Sequence, residues 1–346
     1  MNTELIKITD VSSEKASSDL ERAARKIKDG GLVVFPTETV YGLGGNALSD
    51  ESAVNIYSAK GRPADNPLII HISSPQEAEK YCRVSPIYYD LARAFMPGPL
   101  TVIMPKRDII PSSVTAGLDT VAVRCPSHPI ARALIEKAGV PIAAPSANLS
   151  GRPSPTCAQY VIEDMNGKVD MIIDGGECDI GLESTIVMLK DEGLVLLRPG
   201  AVTYDALCLV CDKVDIAPAV LEMLGENEKP LSPGMKYKHY APSTPLVLLS
   251  GKETDVLSYL ISEINTRSCA ILCYDEETEA LRGASLVPIG KRDDLAAHAH
   301  SLFSALRDAD KLGCEIIYAH LPRKEGLGLA LYNRMIRAAA HTVKTV

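Results

Sequence analysis

The sequence predicts an α/β protein of two domains, on three observations. Short apolar runs of β-rich composition alternate with segments of helical period along the chain. At 346 residues the chain is long enough for two domains of about 150 residues each. The alternation breaks once, at a polar stretch "GENEKP" followed by the proline-flanked "SPGMKYKHYAP" (232–242), and then restarts.

The elements run in this order. Ser18 to Glu21 reads as a capping box (S-x-x-E), opening a helix that Gly30 and Gly31 close. Leu32 to Phe35 is a buried strand, and Asp50 caps a helix that ends at Gly61. "LIIHI", "LTVIM" and "VAVR" read as strands. "HPIARALIEKAG" is a helix stopped by Gly139. "VDMIID", "STIVML" and "LVLLR" add three strands. After Pro242, "PLVLLS", "CAILCY" and "EIIYAH" are strands, between and after helices at 252–265, 293–312 and 328–340. The expected division is a first domain at 1–207, a connecting segment at 208–243 and a second domain at 244–346.

Composition excludes several classes. Apolar residues are 46 % and charged ones 23 %, the balance of a globular protein. No apolar run reaches the ~18 residues of a membrane span. The N-terminus has no apolar h-region of a secretory signal, so a cytoplasmic location is expected. The formal charge of −8 argues against a constitutive nucleic-acid binder, and with no Trp and three Phe a stacking platform for single strands is not expected. Nine cysteines without a secretion signal read as reduced thiols, and Cys208 and Cys211 in "ALCLVC" as buried structural ones.

Chemistry-bearing residues gather just after the expected strands, where open α/β sheets bind ligands. "PTETVYGLGGNA" (36–47), with the hydroxyls of Thr37, Thr39 and Tyr41, is either a loop whose glycines let a ligand approach the backbone closely or a plain Gly-rich turn. "KGRPADNPL" places Lys60 and Arg62 two apart at a helix end. They either serve one polyanion together or complement the helix C-terminus. "APSANLSGRPSPT" (144–156) is rich in hydroxyls and amides, a turn-forming surface loop or a wrap for phosphate or ribose. Arg124 and Arg198 each end a strand just before a proline, aimed to clamp a carboxylate or phosphate. A P-loop, a G-x-G-x-x-G, a G-x-S-x-G elbow and an H-E-x-x-H are all missing.

Taken together, "PTETVYGLG", "KGRPADNPL", "PGPLT", "RCPSHPIAR", "APSANLSG", "ESTIV" and "LRPGAV" resemble the YrdC-like domain of threonylcarbamoyl-AMP synthases, and "SPGMKYKHYAP" with the α/β region after it resembles the longer, two-domain form. The resemblance spans nearly the whole chain, with seven motifs in order. It implies an open twisted YrdC-like α/β sheet with a deep cleft, followed by a smaller Rossmann-like domain. It also implies that L-threonine, bicarbonate (or CO2) and ATP condense to threonylcarbamoyl-AMP and pyrophosphate, for modification of the tRNA adenosine beside the anticodon. Carried over by motif, Lys60, Arg62, Ser146 and Asn148 hold the phosphates and reacting groups. Thr120, Ser154, Arg198, Ser232 and Tyr237 are further ATP contacts, and Thr37, His71, Arg124, Ala144 and Ser184 form the threonine pocket. Mg2+ is expected with ATP, with no protein ligand assigned, Glu38 and Glu183 being near only in sequence. Expected partners are the downstream threonylcarbamoyl-transfer proteins, with at most weak direct tRNA binding and no membrane. The segment 232–242 is expected to close over the cleft as a lid that shields a labile adenylate. A competing reading, an RNA-binding module using the first domain's concave face, rests on fold analogy and is opposed by the acidic charge. A nicotinamide dehydrogenase would lack its fingerprint.

Overall fold

The computed structural model describes residues 2–222 and 240–346. The described residues fall into two compact units, one holding 2–150, 155–179 and 183–222, the other 151–154, 180–182 and 240–346.

In the first unit the strands are β1 (Glu4–Lys7), β2 (Val33–Phe35), β3 (Gly42–Asn46), β4 (Ile69–His71), β5 (Leu100–Pro105), β6 (Thr120–Arg124), β7 (Ile142–Ala143), β8 (Met171–Asp174), β9 (Thr185–Lys190), β10 (Gly193–Arg198) and β11 (Val214–Ile216). The helices are α1 (Glu14–Lys28), α2 (Asp50–Lys60), α3 (Ala78–Tyr81), α4 (Pro86–Phe95), α5 (Ser112–Thr115), α6 (Pro129–Ala138), α7 (Ala158–Met165) and α8 (Tyr204–Cys208). The strands form one sheet in the order β1-β8-β2-β3-β7-β4-β6-β5-β9-β10-β11. The sheet is mixed: β4 runs parallel to β6, while β5 runs antiparallel to β6 and parallel to β9.

Helices α1 and α6 cover one region of this sheet. Leu20, Ala23 and Ile27 of α1 and Ile130 and Leu134 of α6 pack with Val33, Phe35 and Met171. Burying each large aliphatic side chain contributes about 1.5–3 kcal/mol. The caps explain the helix ends. Ser13 accepts from the Ala16 amide at 3.2 Å, so α1 starts at Glu14, ahead of the expected Ser18 box. Ser49 caps α2, and Gly61 closes it in the left-handed region at φ +62°. His128 accepts from the Ile130 amide and starts α6, which Gly139 ends.

The glycine-rich "GLGGN", read from sequence as a turn, is the antiparallel strand β3 beside β2. Its glycines answer to packing. A Cβ on Gly44 would lie 2.7 Å from the Phe35 ring and 2.9 Å from Ile142. Residues 214–216, assigned from sequence to the connecting segment, extend the sheet as β11, parallel to β10. Cys208, expected to be buried, is exposed, while Cys211 is buried.

The second unit contains β12 (Leu246–Ser250), α9 (Glu253–Ile264), β13 (Cys269–Cys273), β14 (Ser285–Pro288), α10 (Leu295–Lys311), β15 (Ile316–His320), α11 (Gly328–Ala338) and β16 (Val343–Thr345). Its strands are all parallel, in the order β14-β13-β15-β12-β16. Val256 and Leu260 of α9 pack on Leu249, Ile271 and Tyr318. No helix among the described residues is long and apolar enough to cross a membrane.

Candidate active site

Three neighbouring strands bring one polar row together. His71 ends β4 and stands in register with Arg124, which ends β6. Arg124 is in register with Thr101 of β5. Partners in register share a face, and residues two positions away share it too. Two residues back lie Ile69, Ala122 and Ile103, which form an apolar cluster with Ile186 and Leu197. The polar row therefore borders an apolar floor on the same face.

Arg124 is buried, and so is the carboxylate beside it. Its Nη2 lies 2.9 Å from Glu38 Oε1 and 3.4 Å from Thr37 Oγ1. Among the described residues the buried Arg124 Nε–H finds no acceptor, and both Glu38 oxygens lack a hydrogen-bond donor in good geometry. A desolvated ion pair of this kind is costly unless further hydrogen bonds complete it. Thr37 holds the turn after β2: its hydroxyl donates to the Val40 carbonyl at 2.6 Å and lies 2.9 Å from Thr39 Oγ1.

His71 is fully enclosed. Burial first, and the Arg124 charge second, push its imidazole down to about 3, so it is neutral at physiological pH. Its Nδ1 lies 3.3 Å from the Ile142 carbonyl, and its ring meets Phe35 edge-on.

Across the row, Ser184 Oγ is 2.7 Å from Thr101 Oγ1. Arg198 donates from Nη2 to Ser184 Oγ at 3.1 Å and from Nε to the Ser184 carbonyl at 3.0 Å. Arg198 thus fixes the turn before β9. Thr101 escaped the sequence reading. Its signal was a lone hydroxyl inside the otherwise apolar "LTVIM". Glu38 was noted only as a neighbour in sequence, and the structure makes it the counter-ion of Arg124.

A second cluster joins the end of α2 to the 144–150 loop. Lys60 is buried, and its ammonium donates to the carbonyls of Ser146 and Asn148, the latter at 2.6 Å. Ser146 Oγ donates to Asn148 Oδ1 at 2.5 Å, and the Ser150 amide donates to the Lys60 carbonyl at 2.9 Å. Arg62 is half-buried and bends onto its own loop, donating to the carbonyls of Asn66 and Pro67 at 3.1–3.3 Å. These hydrogen bonds take the two cations to different loops: Lys60 braces the 144–150 loop, while Arg62 donates to its own loop at the helix exit.

The other expected site residues are spread more widely. Ala144 is buried, its amide bonded to the Ile69 carbonyl at 2.9 Å. Thr120 opens β6, four residues from Arg124 and thus about 13 Å along the strand. Ser154 is buried within the second unit. Ser232, Tyr237 and the lid segment up to residue 239 lie outside the described residues. Tyr240, assigned from sequence to that lid, is buried in the second unit, stacked on Phe303 at 5.2 Å with the Arg334 guanidinium over its ring. Among the described residues no group of three or more His, Cys, Asp or Glu could hold a metal ion, and Glu38 is engaged with Arg124.

Comparison with known proteins places this geometry. A Sua5–YciO–YrdC family model, described as "Telomere recombination", matches residues 25–200. The chain belongs to the Sua5–YciO–YrdC family. A second model, "Threonylcarbamoyl-AMP synthase, C-terminal domain", matches residues 202–340 of this Sua5-type chain. The threonylcarbamoyl-AMP synthase of Pyrococcus abyssi is 44 % identical over 330 residues, covering 93 % of this chain and 94 % of the relative. That of Bacillus subtilis is 42 % identical over 340 residues, covering 96 % and 97 %. The crystal structure of P. abyssi Sua5 complexed with L-threonine superposes with a TM-score of 0.91 at 42 % identity, covering 99 % of this chain and all of that one. The resemblance of the seven motifs thus extends to family and fold.

Proposed function

We propose that this Sua5–YciO–YrdC protein is a threonylcarbamoyl-AMP synthase, acting as a nucleotidyltransferase on L-threonine, bicarbonate or CO2, and ATP. The observation that carries the reading is the buried Arg124, with an unsatisfied Nε–H beside Thr37 and at the centre of the polar row. A guanidinium with a spare donor suits a small carboxylate, and the threonine carboxylate is assigned to it. Thr37, Ser184 and Thr101 supply hydroxyls for the substrate side chain. Neutral His71 and Ala144 line the pocket without adding charge.

The threonine amine captures CO2 and loses a proton, giving a carbamate; from bicarbonate, water leaves. A carbamate oxygen then attacks the α-phosphorus, the α–β phosphoanhydride bond breaks and pyrophosphate departs. Such a transfer relies on positioning and charge neutralisation. Lys60, Ser146 and Asn148 shape the phosphate loop and Arg62 supplies charge at its edge. Thr120, Ser154, Arg198, Ser232 and Tyr237 are assigned to the nucleotide. Mg2+ would enter with ATP and neutralise phosphate charge, with no protein ligand assigned to it. The product feeds cytoplasmic proteins that modify the tRNA adenosine beside the anticodon, and direct tRNA binding by this acidic chain is weak at most.

The test is pyrophosphate release from ATP with and without threonine and bicarbonate. Release that requires both substrates supports the assignment, and threonine-independent release overturns it.

A further inference from the structure

The second unit has its own cavity. It encloses about 290 Å3, the size of a nucleoside-like molecule, at the carboxyl ends of the parallel strands. From β13 the chain moves outward to β14, whereas from β15 it moves the other way, to β16. The gap between β13 and β15 is therefore the switch point of this sheet, where open α/β folds take ligands. Tyr274 follows β13 and His320 ends β15.

The lining is of two kinds. Val256, Leu302, Leu331 and Met335 are apolar. Beside them the Tyr274 ring stacks with His320 at 4.6 Å and with His298 at 5.2 Å. Buried Glu277 contacts His320 Nε2 at 3.0 Å and Arg292 Nη2 at 3.2 Å, and Glu253 takes Arg292 Nη1. These carboxylates balance the Arg292 charge but leave its buried Nε–H without an acceptor among the described residues. Arg323 lines the cavity and is exposed. The acidic groups nearby are Glu253 and Glu277, both engaged by Arg292, Glu276, which accepts from the Arg292 amide, and the exposed Asp293. The group left unsatisfied is a donor, so the missing partner is an acceptor.

We propose that this cavity binds a nucleoside-sized organic anion, its planar ring among the apolar lining and the Tyr274–His320 stack, its acid group served by Arg323 and the spare Arg292 Nε–H. The acid is a phosphate or a carboxylate, chemistry that the arginine fork serves equally. The site shares no residue with the one assigned to threonine and ATP, so it stands or falls separately.

The experiment is histidine side-chain NMR on the full-length protein, with His298 and His320 assigned through His298→Asn and His320→Asn. Adenosine 5′-monophosphate and indole-3-acetate serve as phosphate and carboxylate probes, and adenosine as the uncharged control. At least one anion should shift both histidine signals saturably, with half-saturation below about 1 mM, and the better of the two identifies the acid. The shifts should persist in Arg124→Lys, which alters the other site. Arg323→Ala, a surface change that leaves the fold intact, should weaken binding about tenfold. Absence of saturable shifts with both anions would overturn the proposal. So would equal binding by adenosine, or unchanged affinity in Arg323→Ala.

Discussion

Lys60 offers the sharpest test of how the 144–150 loop is built. Lys60→Met keeps the length and the apolar stem but removes the ammonium, which donates to the carbonyls of Ser146 and Asn148. Hydrogen bonds to a charged group contribute roughly 1.5–3 kcal/mol each, and a buried acceptor left unpaired costs a similar amount. Losing two should destabilise the first unit by about 3–6 kcal/mol. For a unit of this size each kcal/mol lowers Tm by about 2–4 °C, so the transition should fall by at least about 6 °C. Calorimetry reads this directly, and amide exchange at Ser150, whose N–H bonds to the Lys60 carbonyl, should accelerate in parallel. The variant would then lose pyrophosphate release through a loosened loop as well as a lost charge. A Tm within about 2 °C of wild type, with Ser150 still protected, would refute the bracing role.

Other outcomes rest on the same geometry. Arg124→Lys keeps the charge opposite Glu38 but loses the planar fork, so kcat/KM for threonine should fall about 100-fold or more in steady-state pyrophosphate assays. The folded-state pKa of His71 is depressed to about 3, against about 6.5 when unfolded. Its contribution is therefore full above pH 6.5 and is lost as pH falls, because the unfolded chain takes the proton first. Between about pH 6.5 and 5 wild type should lose about 2 kcal/mol more than His71→Asn in urea unfolding. Gly44→Ala places a Cβ 2.7 Å from the Phe35 ring and should cost about 1–3 kcal/mol by the same measurement.

Much of the fold was legible because apolar runs mark buried strands wherever they lie. β4, β5, β6, β12, β13 and β15 fell where "LIIHI", "LTVIM", "VAVR", "PLVLLS", "CAILCY" and "EIIYAH" placed them. β3 was hidden because its glycines read as a turn, although neighbouring Phe35 and Ile142 demand them. The start of α1 was misplaced because Ser18 and Glu21 fit a capping box, yet Ser13 makes the bond. β11, three residues long and exposed on two of them, carried almost no pattern. Strand-end position placed Arg124 and Arg198 where they lie, but residue spacing alone could not tell that Lys60 turns inward while Arg62 turns to its own loop. Nor could it reveal Glu38, whose meaning depends on a strand 87 positions away bringing Thr37 and Arg124 together.

The register of β4, β6 and β5 also sets a scale. Strands repeat about every 4.7–4.9 Å, so His71, Arg124 and Thr101 are graduations on a ruler about 10 Å long. Their spacing cannot drift by fractions, because a one-residue slip would exchange each polar group for an aliphatic neighbour such as Ile70, Val123 or Val102. A relative on this scaffold that accepts a longer or shorter amino acid would have to change which side chain stands on a graduation, and could not move the graduations themselves.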